Sequence, residues 1–337
     1  MSLSRAILFI IFVMPLFSFG QDLHFSQFFN SPLVTNPANT GFIPDADFRV
    51  GGSFRNQFSS IMRQPYKTMS FFADAQVFRD RLENGWLGIG GVIFSDVAGE
   101  GSLRSTKIYG SVAYHQMLGN SSLLSAGFNL GWANKRINPS QFKFPDQYDG
   151  EFFDSDLPTS VIFSNTSVSY FDMQAGINYA YFPHEDVYIN GGYSIHHVNR
   201  PKETFFANPV DGGLIPIKHI GFLNASLKMS NRLIINPNMY YSNQSGANEW
   251  VGGLNGAINL KGNGDAQLIG GVYYRFRESF IPVVGFVLKN IHFVFSYDAT
   301  VSNLKEYNQM RGAHEISIIA KGFYREPGLR QVLCPTF

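Results

Sequence analysis

The sequence predicts an all-β protein, a transmembrane antiparallel β-barrel of about 14 strands with its N- and C-termini in the periplasm. Three observations carry that prediction. About fourteen segments of roughly ten residues each alternate apolar with polar side chains. After residue 20 no apolar run approaches the ~18 residues of a helical span, so only a closed barrel could cross a bilayer with its backbone satisfied. The chain also begins with a secretion signal.

That signal occupies residues 1–20. Arg5 precedes the apolar run from Ala6 to Phe17, and Ser18-Phe19-Gly20 places small residues where a signal peptidase reads. The run is too short for a membrane-spanning helix and contains Pro15. Cleavage leaves Gln21 first, and a lipoprotein would need Cys there, so no lipid anchor is expected.

Composition narrows the class. Aromatic residues reach 15%, with 33 Phe and 16 Tyr, while charged residues make up only 15%, against about 25% in ordinary soluble domains. The net charge of +1 gives no reason to expect nucleic acid as a partner. Cys334 is the single cysteine, which excludes an intramolecular disulfide framework.

Parity along the strands separates a lipid face from a lumen face. From Thr68 to Phe78, Met69, Phe71, Ala73, Ala75 and Val77 oppose Thr68, Ser70, Asp74 and Gln76, broken only by Phe72. Similarly, Phe171, Met173, Ala175, Ile177 and Tyr179 oppose Asp172, Gln174 and Asn178. Further along, Leu233, Ile235, Met239 and Tyr241 oppose Asn236 and Asn238, and Ile291, Phe293, Phe295 and Tyr297 oppose His292, Ser296 and Asp298. A soluble sandwich would expose Lys, Glu and Thr, whereas here the polar face is mostly Asn, Ser, Gln and Gly. Trp86, Trp132, Tyr181 and Trp250 near segment ends suit interfacial girdles.

The pattern places strands near 46–58, 67–79, 86–95, 103–117, 122–136, 169–182, 186–198, 217–229, 232–243, 248–260, 265–277, 279–288, 291–299 and 313–324. With a periplasmic N-terminus, the first connection and every second one after it lie outside, including 59–66, 137–168, 199–216 and 300–312. Those between them, such as Gly119-Asn120, Ser230-Asn231 and Lys289-Asn290, are nearly all tight and rich in Gly and Asn, apart from a longer inner turn at 80–85; two of the outer loops, 244–247 and near Glu278, are short. The chain thus divides into the signal, an N-terminal luminal or periplasmic segment at 21–44, a barrel at 45–324 and a periplasmic tail at 325–337.

Signs of catalysis are thin. No Gly-x-Ser-x-Gly elbow or phosphate loop is present, and Gly88-Ile89-Gly90-Gly91 falls inside a strand, where glycines admit close backbone approach or curvature. Adjacent His196 and His197 should face opposite sides of a strand and so share no metal. The expectation is a non-enzymatic protein with no catalytic residues, metal or cofactor, in contact with outer-membrane lipids.

The connection 137–168 is the strongest anomaly. Phe142, Phe144, Tyr148, Phe152 and Phe153 interleave with Asp146, Asp149, Glu151, Asp154 and Asp156, and Phe205 and Phe206 stand in the next long connection. Aromatic anchors among acids suit partner binding or, less well, calcium; the alternative is a loop folded over its own barrel mouth.

The N-terminal segment contains Phe25-Ser26-Gln27, Pro32-Leu33 and Asn36-Pro37-Ala38, with Gly41 closing the run. Together with Phe54-Arg55-Asn56-Gln57-Phe58, Tyr66-Lys67-Thr68 and Cys334-Pro335, it resembles the PorP/SprF family of Bacteroidetes outer-membrane proteins. The resemblance implies a role in type IX secretion and gliding motility. It implies, as partner, a secreted cell-surface protein with a type B C-terminal domain, such as a gliding adhesin, that the barrel anchors or helps export. Periplasmic components of the secretion and gliding system would be further partners. From its residues, 21–44 suits a segment tucked into the lumen near the periplasmic mouth, where glycine-rich strands admit it and it blocks leakage; a disordered periplasmic tail is the alternative. A third reading is a diffusion or uptake channel, with Asn129, Asn178, Asn236, Asn255, Arg275 and Lys321 lining an open lumen.

Overall fold

A computed structural model describes residues 25–324 except 80, 100, 101, 155, 208, 209 and 263. The signal, His24 and the tail 325–337 with Cys334 lie outside the described residues.

Alternating side chains with frequent β-branched and aromatic residues favour extended backbone, and tight turns let successive strands pair. The described residues form fourteen strands: β1 (Phe48–Gln57), β2 (Tyr66–Val77), β3 (Gly85–Ala98), β4 (Leu103–Met117), β5 (Ser122–Arg136), β6 (Ser167–His184), β7 (Val187–His196), β8 (Lys218–Ser230), β9 (Leu233–Gln244), β10 (Ala247–Asn259), β11 (Ala266–Arg275), β12 (Ser279–Leu288), β13 (Ile291–Thr300) and β14 (Arg311–Gly322). Each pairs antiparallel with its neighbours in sequence, and β1 meets β14 from Phe48↔Gly322 to Gln57↔Ala313 to close the barrel. Closure removes both sheet edges. Every strand boundary falls within three residues of the sequence expectation.

The outer surface is apolar. Met69, Phe71, Phe128, Leu130, Phe171, Ile177, Val284 and Phe286 are all exposed, and an apolar belt of this extent is stable only against lipid. Facing inward, Ser70, Asp74, Gln76, Asn129, Asn178, Ser296 and Ser317 are buried.

Inward apolar residues mark where the N-terminal segment packs. Phe72, the exception to the β2 alternation, is buried with Val92, Phe94, Tyr109 and Ile319 around Phe25 and Leu33. Phe28 sits among Ile220, Tyr240, Val251, Tyr273, Ile281, Val283 and Val294. Phe42 packs with Trp86, Leu123, Ala180, Phe182 and Tyr188. Each such buried side chain contributes about 1.5–3 kcal/mol, so the core lies inside the barrel, between the segment and the wall.

Two local expectations fail. Trp86 is not a girdle residue: it is buried, and its indole N–H donates to the Gly41 carbonyl at 2.9 Å. Trp132, Tyr181 and Trp250 do face outward. Nor do His196 and His197 face opposite sides, because His197 has φ +58° and ends the strand turned inward. Both are buried, and the Nδ1 of His197 lies 2.9 Å from Asp172, which also accepts from the Tyr109 hydroxyl.

One end of the barrel carries the long connections, 58–65, 137–166, 197–217 and 301–310; the other carries mostly tight turns such as 289–290. These are termed the loop end and the turn end.

Candidate functional site

Proline rigidity shapes the N-terminal segment. A 3-10 turn at Phe28–Asn30, a single helical turn at Pro32–Thr35 and a second 3-10 turn at Pro37–Asn39 follow one another, with Pro32 and Pro37 at first helical positions, where their fixed φ fits and no N–H is lost. Asn36 accepts from the Ala38 N–H at 2.8 Å and donates its amide to the Ile177 carbonyl at 2.8 Å, tying the turn to β6.

Ser26 and Gln27 hold the leading end. The Ser26 hydroxyl lies 2.9 and 2.8 Å from the two Asp298 carboxylate oxygens and accepts from Arg55 at 2.5 Å and Arg275 at 2.7 Å. The Ser26 and Gln27 N–H groups donate to Glu315 at 2.8 and 3.0 Å. The Gln27 amide donates to Ser296 and to the Glu315 carbonyl, and its carbonyl accepts from Ser317 at 2.6 Å. Arg55 in turn pairs with Asp298 at 2.8 Å and Glu315 at 3.2 Å, and Arg275 with Asp298 at 2.9 Å and Glu249 at 2.8 Å. Paired, hydrogen-bonded charges are the form in which such groups tolerate burial.

Close approach to the wall depends on small residues. A Cβ added at Gly88 would lie 1.9 Å from the Thr40 carbonyl oxygen; at Gly127, 2.5 Å from that of Pro37; at Gly176, 2.0 Å from Asn36 Oδ1. Gly41, at φ +65°, donates its N–H to Asp74 at 2.7 Å. Arg49 bridges Asp74 and the Asn39 carbonyl, each at 2.8 Å. Asn178 donates to Asn39 and Asn129 to the Leu33 carbonyl, so two of the amides expected to line an open lumen bind the segment. The motif residues Phe25, Ser26, Gln27, Pro32, Leu33, Asn36, Pro37, Ala38 and Gly41 therefore lie together inside the barrel. The segment is not confined to the turn-end mouth, because Arg55 and Asp298 stand near the loop ends of β1 and β13.

The loop-end aromatics divide into two sets. Phe142, Phe144 and Phe206 surround Phe163, with the Phe163 and Phe206 centroids 5.3 Å apart. The Phe205 carbonyl accepts from the Ser164 N–H at 2.8 Å, joining the two long loops, and Lys135 at the end of β5 pairs with Glu203 of the second at 2.5 Å. Tyr148, Phe152 and Phe153 remain at the surface, Phe152 at 71% exposure, and Ile162 of the same loop is 77% exposed. Asp149 accepts from the Glu151 and Phe152 N–H groups at 2.8 and 2.6 Å, which sets the turn presenting Phe152. Bonds from the Ser160 N–H and hydroxyl and from Thr159 hold the Asp146 carboxyl below the ordinary aspartate range.

Sequence reasoning missed Phe163, Ile162, Asp298 and Glu315 as parts of either cluster. Charged residues at inward parity in a strand were the available signal for the last two.

The fold and its contents define a class: a closed outer-membrane barrel whose lumen holds the chain's own N-terminal segment. A family model described as type IX secretion system membrane protein PorP/SprF matches residues 17–319, and the chain belongs to that family. It is thus an outer-membrane barrel of type IX secretion. Among solved structures, the toluene transporter TodX of P. putida is 11% identical with a TM-score of 0.51, covering 88% of this chain and 95% of that one. A deltaS2S3 mutant of the TodX monoaromatic hydrocarbon channel gives 11% and 0.53 over 87% and 94%. The CymD monoaromatic hydrocarbon channel gives 12% and 0.50 over 88% and 94%. At these identities the likeness is one of fold. No curated protein sequence matches the chain.

Proposed function

We propose that this barrel anchors a secreted cell-surface protein at the outer membrane by docking its folded type B C-terminal domain on the joined long loops, without catalysis. The observation that carries this reading is the exposure of Tyr148, Phe152 and Ile162 on one loop that is braced by the Phe142, Phe144, Phe163 and Phe206 stack. Large apolar side chains held rigidly in water have little use except to be covered, and aromatic anchors supply most of the energy of such contacts. Asp149, Glu151, Asp154 and Asp156 stand in the same loop and would orient a basic partner. Gliding adhesins are the cargo class the family suggests, with periplasmic secretion components as contacts at the other face.

The lumen segment has a second part in this reading: it closes the barrel to bulk leakage, so a folded cargo is held outside and not threaded through. Deleting residues 22–40 should raise permeability to small solutes, and unchanged permeability would count against closure.

Replacing Tyr148, Phe152 and Ile162 with Ser tests the docking reading. Cargo should appear in the medium while the barrel remains folded in the membrane. Cargo still retained on those cells would sink the assignment. Phe142 and Phe206 are poorer targets, because their loss would collapse the brace.

A further inference from the structure

The outer face of the barrel changes character in steps toward the loop end. Antiparallel register sets residues of neighbouring strands side by side, so each outward row can be followed around the wall. Across β4 and β5 three outward pairs succeed one another: Ile108↔Trp132, then Thr106↔Asn134, then Arg104↔Arg136. Ile108, Trp132, Arg104 and Arg136 are exposed, and the Asn134 amide donates to the Ser167 and Ser169 hydroxyls at 2.9 Å each. Apolar residues with a tryptophan, then a hydroxyl and an amide, then cations, follow the order in which a leaflet passes from acyl chains to headgroups. Long connections mark the external side of such barrels, which assigns this rim to the outer leaflet.

The last row is cationic over four strands. Arg104 pairs in register with Val97 of β3 and Val97 with Lys67 of β2, which is also exposed. Lys67 therefore stands two interstrand spacings, about 10 Å, from Arg104. Like charges directly opposite one another destabilise a sheet, and Arg104 and Arg136 are so placed. Among the described residues, no side-chain ion pair or hydrogen bond of Lys67, Arg104 or Arg136 offsets that repulsion. Asp96, next to Val97, lies on the inward face and accepts from the Thr68 hydroxyl at 2.6 Å. A phosphate between two guanidinium forks turns the repulsion into bidentate binding.

We infer that the loop-end rim of β2 to β5 binds a phosphorylated glycolipid of the outer leaflet. One phosphate lies between Arg104 and Arg136 and a second anionic group at Lys67. Thr106 and Asn134 meet the sugar, and the acyl chains run down over Ile108 and Trp132. The site is independent of cargo docking, since none of these residues belongs to the exposed loop set.

The test is native mass spectrometry of the full-length mature protein in detergent, titrated with bisphosphorylated lipid A. One lipid should bind per barrel. A cation near a membrane surface contributes about fivefold in affinity for an anionic lipid, so Arg104→Gln with Arg136→Gln should weaken binding about twenty-fivefold. Lys67→Gln should weaken it about fivefold and keeps the test available if the double variant does not fold. Arg232→Gln, which removes an exposed cation at the turn end, should leave binding unchanged. Lipid A stripped of its phosphates should bind the unsubstituted barrel no better than the phosphorylated form binds the double variant. Equal binding by the unsubstituted and substituted barrels would overturn the inference, as would equal binding of the stripped lipid. Displacement of lipid A by millimolar inorganic phosphate would also overturn it, because the rim would then be a site for the free ion.

Discussion

The Ser26 hydroxyl lies 2.8 Å from a carboxylate oxygen of Asp298, 272 residues further along the chain. The contact sits beside the barrel seam. Arg55 of β1 and Glu315 of β14 are register partners across the closing pair, and Ser26 and Gln27 bond to both strands' charged residues there. The first described residues thus hold the last strand pairing, which couples the lumen segment to barrel closure.

Ser26→Ala removes a hydroxyl shared by two guanidinium groups and a carboxylate. Hydrogen bonds to charged groups are worth about 1.5–3 kcal/mol. The temperature at which the barrel loses its compact gel mobility should fall, and residues near Ser26 should become open to protease. An unchanged transition would mean the hydroxyl bears no load.

The Arg55 and Glu315 pair should show strong coupling. Breaking a buried pair by removing one partner costs about 3–5 kcal/mol, because the other charge is stranded. Arg55→Met and Glu315→Met should each destabilise the barrel in urea titrations in lipid. The double variant should lose less than the sum of the two. Strict additivity would refute the coupling.

Gly88→Ala should expel the segment. The new Cβ would fall 1.9 Å from the Thr40 carbonyl oxygen, whereas a Cβ at Gly252 meets nothing within 4 Å. Overpacking of this kind costs about 1–3 kcal/mol. With Ser31→Cys in a Cys334→Ser background, thiol labelling should speed up for Gly88→Ala and stay slow for Gly252→Ala.

The loop brace should tolerate mild acid. Backbone and hydroxyl donors hold the Asp146 and Asp149 carboxyls below the ordinary value of 3.8. A carboxyl depressed in the folded state contributes stability above its unfolded value, lost as pH falls through the folded one. Protease resistance of residues 137–166 should therefore hold to about pH 4 and fail below the ordinary aspartate range. Failure near pH 6 would point to another group.

The strands were legible because lipid outside and polar atoms inside impose a strict period of two, and short turns punctuate it. Even the exception was informative: Phe72 interrupts β2 because it faces Leu33 and Phe25 and not water. Trp86 misled because an aromatic near a strand end reads alike whether it meets headgroups or a carbonyl inside the barrel. His197 misled because parity arguments assume that the strand continues, and its positive φ ends it. Among the loop aromatics, composition could not tell Phe142, spent on the brace, from Phe152, left in water.

The sequence by itself determined the barrel, its strand order and its family, since period, turn residues and motif are local properties of the chain. Only the tertiary structure decided what fills the lumen. The contacts among Ser26, Arg55, Asp298 and Glu315 join the two ends of the described chain, and no local pattern encodes which inward charge will meet which, because that depends on how strand register around a closed barrel brings distant residues to one height.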